Sequence, residues 1–105
     1  MAYSIFLGTS KNRYELHVLE LEENLHEYIF KNHIKSIRND SRFYRMSDYY
    51  KDALFFYEDI EVLISELDKL IRESNDSKFT DILVSIKKVC VAAIVNKKNL
   101  YCFCD

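Results

Sequence analysis

Residues 79–105 read FTDILVSIKKVCVAAIVNKKNLYCFCD, and this stretch decides the fold. Phe79, Ile82, Leu83, Ile86, Val89, Cys90, Ala93 and Ile94 recur at spacings of three and four, those of one helix face. Val84, Val91 and Val95 add apolar surface beside that stripe, so the helix is expected to be buried over more than half its circumference. Asp76 or Ser77 suits the N-cap and Asp81 lies in the first turns. Lys97 and Lys98 follow the last apolar residue, so each charge matches its end of the helix dipole. Asn96 or Asn99 is expected to supply the left-handed turn residue. Leu100 to Cys104 is too short for another helix and is rich in strand formers. Leu100, Cys102 and Cys104 share one face, Tyr101 and Phe103 the other. A strand that is apolar on both faces belongs inside a sheet.

Working outward, Tyr3 to Leu7 alternates as a first strand, with Tyr3, Ile5 and Leu7 against Ser4 and Phe6. Gly8-Thr9-Ser10-Lys11-Asn12 reads as a turn. Arg13 to Leu19 reads as a second strand, with Tyr14, Leu16 and Val18 inward and Glu15 and His17 outward. The short connection predicts an antiparallel hairpin. From Glu22 to about Ile37 the period becomes helical, with Leu21, Leu25, Tyr28, Ile29 and Asn32 on the buried side. Arg42 to Met46 is expected to be a strand, and Ser47 to Phe56 a loop followed by a short strand at 53–56. A helix opens near Asp59, with Ile60, Leu63, Ile64, Leu67, Leu70 and Ile71 as its core stripe. Ser74 to Ser77 separates it from the last helix. The expected architecture is a single α/β (α+β) domain over residues 1–105. A small mixed or antiparallel sheet packs on about three helices, in the order β-β-α-β(-β)-α-α-β.

The chain has 105 residues, one Gly and no Pro. That argues against a turn-rich barrel and against a Gly-rich phosphate loop. Its 49% apolar and 30% charged residues are ordinary for a globular protein. The net charge of −2 lacks the basic face that nucleic-acid binding requires. The basic pairs Lys87/Lys88 and Lys97/Lys98 have a place on the last helix and at its end, and the aromatics sit among acids rather than in a basic groove. Three cysteines are present, and Cys102 and Cys104 would lie about 7 Å apart on one strand face, too far for a disulfide. Buried reduced thiols are the expected state. The N-terminus lacks a signal-peptide pattern, and the apolar run Val89–Val95 is too short to span a bilayer, so a cytoplasmic location is expected.

No motif with a catalytic mechanism stands out. His26 and His33 are seven residues apart on the expected helix, about 10 Å, too far to share a metal ion with Glu22. No Ser or Cys occupies a nucleophile-elbow context, and Cys90 belongs to the core stripe. Carboxylate groups such as Glu58/Asp59/Glu61 have a helix-start explanation, although residues distant in sequence could still meet as an acid/base pair. The expectation is a chain without catalytic residues, cofactor or metal. Ser41 to Glu61 carries more information. Phe43, Tyr44, Tyr49, Tyr50, Phe55, Phe56 and Tyr57 are interleaved there with Asp48, Asp52, Glu58 and Asp59. Tyrosine supplies rigid contact area and carboxylates meet a basic partner, a usual make-up for a protein-binding surface. The same aromatics could instead fill the core.

Ser41-Arg42-Phe43, the helix over 59–71, and Phe79…Ala93-Ile94…Leu100-Tyr101-Cys102-Phe103 together resemble small bacterial immunity proteins. These are encoded beside polymorphic or contact-dependent growth inhibition toxins. The likeness covers most of the chain from Ser41 onward. It implies an antitoxin without chemistry of its own, which binds and blocks one toxin domain, a nuclease in many such systems, by stoichiometric occlusion. Tyr44, Asp48, Tyr49, Tyr50, Asp52, Glu58 and Asp59 are the expected toxin-contact residues. Two alternatives stay open: a regulatory or structural subunit that self-associates through the aromatic surface, and a small acid/base enzyme.

Overall fold

A computed structural model of the chain describes residues 2–10 and 13–104, with side chains at 2–9 and 19–104. Four strands form one antiparallel sheet: β1 (Ala2–Ser10), β2 (Arg13–Glu22), β3 (Ala53–Phe55) and β4 (Asn99–Cys104), in the spatial order β2-β1-β4-β3. Three helices, α1 (Glu23–Phe30), α2 (Tyr57–Glu73) and α3 (Ser77–Val95), complete the order β-β-α-β-α-α-β.

The alternation in β1 places Tyr3, Ile5 and Leu7 in the core. In β4 it places Leu100 and Cys102 beside them, opposite Leu7 and Ile5. β4 lies between β1 and β3, the inner position that its two apolar faces require. Ile60, Leu63 and Leu67 of α2, with Leu83, Ile86, Cys90 and Ala93 of α3, close the same buried cluster. The opposite sheet face carries Phe6 and Phe103, whose rings stack at 5.1 Å and 9°. The inward and outward assignments at Tyr14, Glu15, Leu16, His17 and Val18, and the tip of the first turn at Lys11 and Asn12, lie outside the described residues.

Asp76 is the N-cap of α3, its carboxylate accepting from the N–H groups of Lys78 and Phe79. The left-handed residue after α3 is Lys97, at φ 55, rather than Asn96 or Asn99. Asn96 instead donates its side-chain amide to Ala92 O at 2.8 Å, so the helix end is satisfied one residue before the reversal. The thiols of Cys90, Cys102 and Cys104 are free. Burial pushes the Cys90 thiol up to about 12, which leaves it protonated and unreactive at neutral pH.

Several segments differ from the sequence expectation: residues 8–10, expected as part of a turn, continue β1, and Glu22, expected to open the first helix, ends β2. The helix expected to run from Glu22 to Ile37 stops at Phe30 and resumes as a single 3-10 turn, Ile34–Ser36. Asn32, expected in the buried stripe, is exposed. The chain turns there because His33 is held from outside the helix, by Asp76 and by stacking on Phe79. Arg42–Met46, expected as a strand, contains a 3-10 helix over Phe43–Met46. Its N-terminal N–H groups are the reason. Those of Arg42 and Phe43 both donate at 3.0 Å to the Glu66 carboxylate on α2, a cap supplied from more than twenty residues away. Phe43 and Met46 are thereby driven into the core, fully buried.

Candidate protein-binding surface

The segment between this 3-10 helix and α2 forms the surface. Its inner end is fixed by His26 on α1, which is buried and whose Nε2 lies 2.7 Å from Met46 O. A carbonyl only accepts, so Nε2 carries the hydrogen. Its ring packs among Tyr3, Phe30 and Tyr49 at centroid distances of 4.7–5.1 Å. Burial pulls the His26 pKa below its ordinary value, and the Met46 hydrogen bond and the nearby charges of Asp48 and Glu27 offset this only in part. An unfolded histidine protonates near 6.5 while the folded site resists the proton. His26 therefore contributes full stability above about pH 6.5, and that contribution falls as the pH drops below it. Denaturant unfolding should show this loss between pH 8 and pH 5. His26→Gln, which keeps a donor for Met46 O but cannot titrate, should flatten that part of the profile.

Beyond the anchor the chain turns outward. Asp48 accepts the Tyr50 N–H at 3.0 Å, a local turn that sets Tyr49 and Tyr50 edge to face at 5.3 Å and 84°. Tyr49 goes inward and is 7% exposed, while Tyr50 is 69% exposed. β3 follows as an edge strand paired only with β4, with Ala53 and Phe55 inward and Leu54 outward. Phe56 and Tyr57, at the start of α2, are each about half exposed. Tyr50, Leu54, Phe56 and Tyr57 thus expose large apolar surface within eight residues of chain. Asp48, Asp52 and Glu58 are exposed within the same stretch of chain.

The residues expected to contact a partner divide in two. Tyr50, Asp48, Asp52 and Glu58 reach solvent on this surface. Tyr44 is half-buried against the core, Tyr49 is buried, and Asp59 is turned back between Arg45 at 3.1 Å and Arg42 at 3.4 Å. Burial raises the Asp59 pKa, but the two guanidinium groups outweigh it and hold the carboxyl below its usual value. Leu54, Phe56 and Tyr57 are exposed here but absent from the expected contact residues; at Leu54 and Phe56 there is a readable cause. Their signal is the alternation in Ala53-Leu54-Phe55, which turns positions 54 and 56 outward once Phe55 is placed in the core.

A second polar cluster sits at the N-terminus of α3. Asp76 accepts from the Tyr28 hydroxyl and from His33 Nε2 at 3.0 Å, besides its two backbone donors. His33 stacks on Phe79 at 3.8 Å, and Lys78 lies over the Tyr28 ring at 4.4 Å. The Tyr28 hydrogen bond and the Phe79 N–H are the leading causes that hold the Asp76 carboxyl at about 2, against an ordinary 3.8. With both carboxylate oxygens committed, the cluster ties α1 to α3. Because the folded value is the lower one, its stabilisation is complete above about pH 4 and disappears as the pH falls through about 2. Asp76→Asn should remove that acid-limb dependence from unfolding curves recorded between pH 5 and pH 2. An unchanged slope would show that the cluster does not act through its charge.

Among the described residues no group of three or more His, Cys, Asp or Glu side chains is arranged to hold a metal ion, and no helix is long and apolar enough to cross a membrane. No family model, curated protein or solved structure matches the chain.

Proposed function

We propose that this chain is an immunity protein, a cytoplasmic antitoxin that binds one bacterial toxin domain and blocks it by stoichiometric occlusion. The observation that carries the reading is the exposed aromatic surface around β3, Tyr50, Leu54, Phe56 and Tyr57, rimmed by Asp48, Asp52 and Glu58. Large exposed apolar side chains interleaved with charged ones mark a protein-interaction site. The acidic rim suits a partner that is basic where it grips nucleic acid, as nuclease domains are. It disfavours the alternative of isologous self-association, because pairing two copies of this patch would bring the carboxylates of Asp48, Asp52 and Glu58 toward one another. The resemblance over residues 41–103 gives the reading its biological class.

Co-purification tests it. The tagged chain, expressed in its native host, should bring down one companion at near-equal stoichiometry, and that companion should carry a domain that is lethal without this chain. Recovery of the chain alone, or only as copies of itself, would remove the reading.

A further inference from the structure

Beside the exposed aromatics lies a cleft of about 370 Å³ between α1 and the 47–50 segment. Its charged lining is Glu23, Glu27 and Asp48 against a single ammonium, Lys31. Lys31 is already paired with Glu27 at 3.3 Å, one helical turn away. The aromatic walls include Tyr49 and Tyr50, and Tyr50 leaves most of its ring open. His26 also lines the cleft while only 3% exposed. Its Nε2–H is given to Met46 O, so in the neutral ring Nδ1 holds a lone pair. The cleft therefore offers acceptors and ring faces almost throughout.

We infer that this cleft is the anchor pocket for one arginine side chain of the partner protein. A guanidinium is planar, permanently charged and carries five N–H donors with no acceptor. It can stack on the Tyr50 face while donating to Glu23 and Asp48. A lysine ammonium is a compact, strongly hydrated charge that would forgo the stacking and use fewer of the acceptors. A neutral residue of the same length would leave the carboxylates without a counter-charge. Buried arginine anchors of this kind are typical interface hot spots. The inference deepens the proposed function and rests on its reading of this face as a protein-binding surface.

The test does not need the partner. The ¹⁵N-labelled chain is titrated with the N-acetyl, N-methylamide derivatives of arginine, lysine and citrulline, which mimic single residues of a protein. The arginine derivative should give saturable shifts at Tyr49, Tyr50 and the His26 ring. Its affinity should exceed that of the citrulline derivative by about tenfold or more, which is about 1.4 kcal/mol. Glu23→Gln combined with Asp48→Asn should abolish that preference. Both sites are exposed, and the side-chain amide introduced by Asp48→Asn keeps an acceptor oxygen for the Tyr50 N–H, so the fold is preserved. Shifts that do not saturate, equal binding of citrulline, tighter binding of lysine, or a preference that survives the double substitution would each overturn the arginine pocket. A negative titration with successful co-purification would leave the antitoxin reading standing without the pocket. A positive titration with no companion would do the reverse.

Discussion

Truncating Phe43 to alanine should cost about 3–5 kcal/mol of folding stability, the range for removing a fully buried phenylalanine ring. Phe43 has no exposed surface, and its ring lies 5.0 Å from Phe30 on α1. Its own N–H is held by Glu66 on α2. Phe43 therefore joins α1, α2 and the segment that carries the exposed aromatics, and the site has little freedom to collapse into the space left behind. Domains of this size are stable by roughly 5–15 kcal/mol, so the loss should move the denaturation midpoint far toward zero denaturant. Guanidinium unfolding followed by circular dichroism would measure it. A cost below about 1 kcal/mol would mean that the 3-10 helix does not anchor the segment as described. Tyr50→Ala provides the control: its ring is mostly in solvent, so its change should stay within about 0.5 kcal/mol.

Replacing Tyr50 and Phe56 together with alanine should weaken partner binding by at least about thirtyfold, or about 2 kcal/mol, while leaving the unfolding midpoint nearly unchanged. The two side chains are among the most exposed large apolar groups described, at 69% and 53%. Folding leaves them in water, so their burial energy is available to a partner. Large aromatics of this kind carry most of the energy of protein interfaces. Tyr49 does not belong in such a variant. It is buried against His26, so its loss would damage the fold and the surface together. Titration calorimetry with the purified companion would measure the change. Unaltered affinity would place the interface elsewhere, and lost stability would show that these rings pack within the fold.

The sequence carried the parts of the fold that are local. The apolar stripe of α3, its Asp76 cap and the two-faced apolar β4 are readable from neighbouring residues alone, because spacing and termini determine them. The 3-10 helix at Phe43–Met46 was not readable. Arg42-Phe43-Tyr44 has a strand former's composition, and its capping acceptor, Glu66, is on another helix. The early end of α1 has the same cause, since His33 answers to Asp76 and Phe79. In the segment over residues 41–61, composition marked a concentration of aromatics and acids but could not sort which aromatics reach solvent. Tyr49 and Tyr50 are adjacent and chemically identical, and one goes inward because Asp48 takes the Tyr50 N–H and His26 offers Tyr49 a packing partner. The cleft needed the fold itself, because α1 and its C-cap contribute Glu23, His26, Glu27, Phe30 and Lys31 and the 47–50 segment contributes the rest.

Hydrogen exchange on the chain, alone and with its co-purified companion, tests the central claim most directly. Amides from Asp48 to Glu58 and along the first turns of α1 should gain protection in the complex, while those on the outward face of α3, around Val91 and Val95, should not change. Protection centred on α3, or none at any segment, would contradict the assignment of this face as the one that blocks a toxin domain.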